Sequence, residues 1–152
     1  MKIELTGNEI AKMYTAIDKV GETGITMSSL LVAHSLQLVK KGIETIFNAI
    51  NILGKQNKEY IEYHRKRNAI QRDNFDDHKK MKDALLALSK KYSAAIEQEE
   101  IRVDKFNEEL ERKFEIDIIP IKQSDLEGTT AEAAAFIGAI FPILEFDNNT
   151  KT

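Results

Sequence analysis

The chain contains no cysteine. That excludes a disulfide framework and all thiol chemistry, and it suits the cytoplasm. It has only two prolines, and both come late. Pro120 lacks a backbone donor and so marks an edge strand, and Pro142 ends a short helix. The seven glycines form neither a phosphate-cradling loop nor a dinucleotide fingerprint. The three histidines, His34, His64 and His78, give no metal-ligand spacing, and no serine–histidine–acid set can be assembled. His64, Asp77 and His78 would meet only across a tight turn, so a packed or solvent-facing histidine is the better reading. No catalytic residue, metal or cofactor is therefore expected. Residues 1–5 lack the pattern of a signal peptide, and the most apolar run, 131–144, is too short to span a bilayer. A net charge of −3 argues against a nucleic-acid coat.

What is present is an architecture. With 42% hydrophobic and 31% charged residues, 152 residues fit one domain, assigned to 1–146 with 147–152 as a disordered tail. The organising stretch, 28–113, reads as a long antiparallel, coiled-coil-like helical hairpin that reverses within 67–77. Its first arm carries two seven-residue series on one face. One is Val32, Val39, Ile46, Leu53, Tyr60, and the other is Leu36, Ile43, Ile50, Asn57, His64. Leu31, Leu38, Phe47 and Ile52 fall outside that seam, so the arm needs more than one neighbour. The second arm reads Met81, Leu85, Leu88, Tyr92, Ala95, then Glu99, Val103, Phe106, Leu110, with a stutter at Glu99–Val103. Asp73 or Asn74 is expected to cap this arm, and Thr26 or Ser28 the first one. Gly42 and Gly54 lie inside the first arm, either as mild tolerance or where another backbone comes close.

The flanks, 1–27 and 114–146, read as a cap. Residues 2–5 alternate as a short strand whose partner is the alternating stretch Phe114, Ile116, Ile118. Thr6 with Glu9 is a capping-box signature ahead of a helix bearing Ile10, Met13, Tyr14, Ile17 and Val20 on one face. Gly21 is expected to stop it. Thr129 with Glu132 repeats the signature before a short C-terminal helix. The fold class is thus mainly α: a hairpin capped by an N-terminal helix, a two-stranded β element and a C-terminal helix.

Two candidate surfaces follow. Tyr60, Tyr63, Arg65, Arg67 and Arg72 form a basic–aromatic stretch near the reversal, suited to an acidic protein surface, a nucleotide or a phosphate. The same charges also read as helix-end chemistry. Phe136, Ile137, Ile140 and Phe141 need burial, and they are assigned to self-association in a homo-oligomer.

Three segments carry a resemblance: Met1-Lys2-Ile3-Glu4-Leu5 followed by Asn8-Glu9-Ile10; Phe106-Asn107-Glu108-Glu109-Leu110 leading into Glu115-Ile116-Asp117-Ile118; and Ser124-Asp125-Leu126-Glu127-Gly128 before a short terminal helix. Together they resemble small phage and prophage proteins grouped as a domain of unknown function, family 1617. The resemblance implies a small non-enzymatic accessory protein of a bacterial virus, with a host or viral protein as partner, for instance a host or defence factor that it inhibits. A virion or assembly component is the first alternative. Sequestration of a small phosphate-bearing ligand between subunits is the second. On the tip assignment, charge reversal of Arg65 and Arg67 abolishes partner capture without unfolding; unchanged capture rejects it.

Overall fold

Residues 2–6 and 113–117 meet in one antiparallel ladder. A computed structural model describes residues 1–146, and the expected tail, 147–152, lies outside them. In chain order the elements are β1 (Lys2–Thr6), α1 (Gly7–Asp18), β2 (Thr26–Met27), α2 (Leu30–Leu53), α3 (Lys58–Asp73) and α4 (His78–Lys91). They continue with α5 (Ser93–Glu111), β3 (Lys113–Asp117), β4 (Ile121–Lys122), β5 (Leu126–Glu127), α6 (Ala131–Ile140) and β6 (Leu144–Glu145). The protein is mainly α. It divides into two compact units, Met1–Ile50 with Glu109–Thr152, and Asn51–Glu108.

The first unit is built on the expected ladder. β1 pairs with β3 in the register Lys2↔Asp117 to Thr6↔Lys113. Because side chains alternate, Leu5 and Ile116 turn inward and are buried. On the outer side Lys2 pairs with Glu115 at 2.7 Å and Lys113 with Glu4 at 3.4 Å. Two further short ladders, which the alternation did not reveal, tie the loops together. β2 pairs antiparallel with β5, and β4 pairs parallel with β6. Ser28 does not cap α2. Its amide donates to the Asp125 carbonyl at 3.0 Å and its hydroxyl to the Asp125 carboxylate at 2.8 Å, which extends the β2–β5 junction.

Helix α1 begins as expected. The Thr6 side chain accepts from the Glu9 amide, and the Glu9 carboxylate accepts from the Thr6 amide. Its inward face buries Ile10, Met13 and Ile17 against Val32, Leu36, Val39 and Ile43 of α2 and against Phe136 and Ile140 of α6. Each large side chain so buried contributes about 2 kcal/mol. Tyr14 stacks on Phe47 with centroids 3.9 Å apart, and Lys40 lies over the Tyr14 ring while bonding Asp18 at 2.6 Å. Gly21 is not the left-handed stop. The positive φ belongs to Gly24, at 71°, because a 3₁₀ turn, Val20–Glu22, first prolongs the helix. At α6 the cap is Thr130, one residue after the expected Thr129, and it accepts from the Ala133 amide at 3.0 Å.

The second unit contains the reversal, at Asn74–Asp77, inside the expected window. There the Asp77 amide bonds the Asn74 carbonyl at 3.1 Å. The cap of α4 is Asp77, whose carboxylate accepts from the Lys80 amide at 3.0 Å, rather than Asp73 or Asn74. α3 and α4 fold back on each other, with Tyr63 against Tyr92 at 5.8 Å between ring centroids. Each expected arm is two helices. The first breaks between Leu53 and Lys58, where α2 ends just before Gly54 and Asn57 caps the next helix by accepting from the Glu59 amide at 2.8 Å. The second interrupts at Tyr92, whose amide turns back to the Leu88 and Lys90 carbonyls, ahead of the expected stutter. Asn51–Glu108 has little core of its own, since its buried residues are Ala95 and Glu99.

One glycine fixes how α1 is seated. The Gly7 amide donates to the Arg112 carbonyl at 3.0 Å, and a Cβ at Gly7 would lie 2.1 Å from the Glu109 carbonyl oxygen. Backbone cannot rotate away as a side chain can, so α1 must shift. Gly7→Ala is expected to lower unfolding free energy by about 2 kcal/mol in chemical denaturation, whereas Gly21→Ala, with nothing within 4 Å of its Cβ, leaves the midpoint nearly unchanged.

Candidate functional site

The five residues of the basic–aromatic stretch do not assemble into one patch. All lie on α3, but from Tyr60 to Arg72 that helix rises about 18 Å. Tyr60 and Tyr63 are half-buried in an aromatic file, with Tyr60 against Tyr63 at 5.8 Å and Tyr63 against Tyr92 at 5.8 Å. Arg65, Arg67 and Arg72 are exposed. At about 100° per residue, Arg65 and Arg72 share one side of α3, while Arg67 points to nearly the opposite side. The cation that packs into the helix pair is Lys66. Its ammonium bonds the Tyr92 hydroxyl and the Glu62 carboxylate, both at 2.8 Å, which raises the Lys66 pKa and lowers that of Glu62. At the reversal itself stands Phe75, 82% exposed. Charge counting passed over it because it sits alone among aspartates.

The break between α2 and α3 is held by an ion pair. Glu99 is buried, and Arg102, one turn on along α5, donates Nε to it at 2.9 Å. The same guanidinium donates to the Leu53 carbonyl at 2.7 Å, satisfying the last turn of α2. The Arg102 hydrogen bond holds the Glu99 carboxyl below the usual carboxylate range, and Gln56 and the Asn57 backbone act in the same direction. The acid in the otherwise apolar seam of the second arm is therefore a clamp on the first. A shallow hollow of about 390 Å³ opens beside it, lined by Gln56, Tyr60, Ile96, Glu100 and Val103 among others.

The four residues assigned to self-association divide between core and surface. Phe136 and Ile140 are fully buried in the core of Met1–Ile50 with Glu109–Thr152, and Ile137 packs against that core. α6 turns Phe136 and Ile140 toward α1 and α2 rather than toward solvent, and Ile137 is half-buried. Phe141, 56% exposed, is the one of the four at the surface, its ring tilted against that of Phe146 with centroids 5.1 Å apart.

The other side of α6 carries a feature that hydrophobic periodicity does not show. Ala11, Thr15 and Ala16 of α1 face Ala135, Gly138 and Ala139 of α6, and a groove of about 820 Å³ lies between them with Phe136 as part of its lining. Small residues four apart on both helices leave the space open. Lys12 of α1 and Lys19 at its C-terminal cap border the groove, with Glu22 just beyond, and Glu132 borders it on α6. Neither lysine is ion-paired among the described residues. A second hollow lined by Lys12, Gly138, Ala139, Phe141 and Pro142 continues the groove toward the exposed Phe141.

Among the described residues, no group of three His, Cys, Asp or Glu side chains is placed to hold a metal ion, and no helix is long and apolar enough to cross a membrane. Every buried side-chain nitrogen and oxygen among them has a hydrogen-bond partner. No family model, no curated protein and no solved structure matches the chain.

The clamp gives a prediction with a defined sign. Glu99 has a lowered pKa in the folded state, so its stabilisation is full above its ordinary value of 4.5 and is lost as pH falls through the lower folded value. Helix content followed by circular dichroism through acid titration should show this loss, and Glu99→Gln should flatten it. Glu99→Ala, which leaves Arg102 without its acid, is expected to destabilise by about 2 kcal/mol.

Proposed function

We propose that this chain is a non-enzymatic accessory protein of the phage or prophage type that works by holding another protein, and that the groove between α1 and α6 is where it holds it. The observation that carries this reading is the groove itself: about 820 Å³, floored by Phe136, walled by alanine, glycine and threonine, and continuous with Phe141. Walls this small admit large side chains from outside, as in helix-in-groove recognition. Lys12 and Lys19, seven residues apart on one edge, lie about 10 Å from each other along the helix. The occupant they fit is an amphipathic helix with leucine- or phenylalanine-sized residues on one face and two carboxylates two turns apart beside them. A non-enzymatic role is supported by the pairing of Glu99, the buried acid, with Arg102, and by its place in the α2–α3 break rather than in this groove.

Ala135 is exposed and lines the groove, so Ala135→Arg fills it without disturbing the core. Affinity capture from host cells, with mass spectrometry of retained proteins, is expected to lose the specific partner with Ala135→Arg, and to weaken it about tenfold with the Lys12→Glu/Lys19→Glu double variant. A variant with Arg65→Glu, Arg67→Glu and Phe75→Ala is expected to retain it. If the tip variant loses the partner and Ala135→Arg keeps it, the contact lies on α3 and the reversal instead. Thermal melts of each variant confirm that the fold is intact.

A further inference from the structure

Helices α4 and α5 present one outer face whose charge is sorted by sign along its length. At about 100° per residue, Lys79, Lys82, Leu86 and Lys90 fall within about 80° of one another on α4. Glu97, Ile101, Asp104 and Glu108 fall within about 60° of one another on α5. All of them are exposed. The interruption at Tyr92 does not turn the second stripe away from the first. The Tyr92 amide reaches the Leu88 carbonyl at 3.1 Å and the Ile96 amide reaches the Tyr92 carbonyl at 3.0 Å, so helical bonding spans it. Lys90 and Glu97, seven residues apart, therefore stand on the same side.

This order of charge runs against the helices' own electrostatics. A helix dipole favours acids in the first turn and bases in the last. Yet α4 has no acid in its first turn and begins with Lys79 and Lys80, and α5 has no base in its last turn and ends with Glu108 to Glu111. Helix-end chemistry does not account for the pattern. Nor does the chain neutralise it, since none of the charged residues of the stripe is ion-paired among the described residues.

We infer that a second copy of this chain docks on this face, antiparallel, about a two-fold axis between Ser93 and Ala94. Read backwards, the stripe nearly repeats itself with its charges inverted, and that self-complementarity selects the copy as the occupant. Lys79 of one copy comes level with Glu108 of the other, Leu86 with Ile101, and Lys90 with Glu97. Each contact is made twice, and the pair closes on itself. The remaining charges agree. Lys82 comes level with Lys105 and Asp83 with Asp104, but Lys82 and Asp104 lie on one edge of the stripe and Asp83 and Lys105 on the other. Each cation thus has an acid as its neighbour. A parallel copy would instead set lysine against lysine and acid against acid. Ser93 and Ala94, both exposed and small, let the helices approach at the axis.

Residues 79–108 span about 45 Å, and a stripe about 10 Å wide over that length falls short of the roughly 800 Å² per partner typical of stable complexes. Exposed ion pairs are each worth little and are screened by salt. The dimer is therefore reversible and salt-sensitive. The face lies wholly within Asn51–Glu108 and is independent of the groove between α1 and α6.

Sedimentation velocity of the unaltered chain at about 1 mM is expected to show dimers at about 10 mM ionic strength and to lose them toward about 1 M, as the Debye length falls from about 30 Å to about 3 Å. The Lys79→Glu/Lys82→Glu/Lys90→Glu and Glu97→Lys/Asp104→Lys/Glu108→Lys variants are each expected to keep their helical circular dichroism and to associate at least about tenfold more weakly, while an equimolar mixture of the two associates again. Since the chain has no cysteine, introduced ones report the register. The Leu86→Cys/Ile101→Cys variant is expected to form a covalent dimer on oxidation at low salt, and each single variant to stay monomeric on a non-reducing gel. Within one chain the two positions are about 22 Å apart along the arm, beyond disulfide reach. The inference is overturned if the unaltered chain stays monomeric at low salt, if its association ignores salt, if either charge variant associates as the unaltered chain does, or if their mixture stays monomeric. It is equally overturned if the double cysteine variant stays monomeric or the single ones cross-link as well.

Discussion

The pairing of β1 with β3 is the constraint on which the rest of the structure depends. It joins Lys2–Thr6 to Lys113–Asp117, more than a hundred residues later in the chain. Closing so long a loop carries an entropic penalty that five residue pairs do not offset alone. The offset comes from what the ladder brings together. Leu5 and Ile116 enter the same core as Ile10, Met13 and Ile17 of α1, Leu36 and Ile43 of α2, and Phe136 and Ile140 of α6. The seat of α1 on the Glu109 and Arg112 carbonyls, which only a glycine at position 7 permits, locks the ladder to the helix that follows it.

Asn51–Glu108 is held differently. It buries Ala95 and Glu99, and its cohesion comes from the file Tyr60, Tyr63, Tyr92, from Lys66 between Glu62 and Tyr92, and from Arg102 bridging Glu99 and Leu53. Such contacts are worth less than buried aliphatic surface. A helix pair of this kind is expected to open locally before the aliphatic core does.

Much of the fold was legible in the sequence where one physical signal dominated. The Thr6–Glu9 capping box, the alternation at 2–5 and 114–118, and the fold-back within 67–77 each rest on local chemistry, and each is found. The breaks in the arms were harder to read because their cause is non-local. Gly54 and Asn57 are ordinary surface residues until Arg102 and Glu99, more than forty positions away, satisfy the turn between them. A buried acid in an apolar series was the available clue, and spacing alone made it a stutter. The short ladders β2–β5 and β4–β6 have two residues per strand, too few for any period to register. At the candidate sites, α6 is apolar around most of its circumference, so periodicity could not tell that Phe136 and Ile140 turn inward. The groove on its other side is written in alanine, threonine and glycine, residues that give no amphipathic signal. Arg65, Arg67 and Arg72 are near neighbours in sequence, but the helical period separates them.

The division of stability between an aliphatic core and a polar-aromatic helix pair is tested most directly by native-state hydrogen exchange resolved by segment. Amides of β1, α1 and β3 should exchange last and together, only through global unfolding, while those of α3 and α4 exchange markedly faster. Equal protection of the two sets, or slower exchange in α3 and α4 than in the ladder, would contradict the claim that the pairing of β1 with β3 holds the fold.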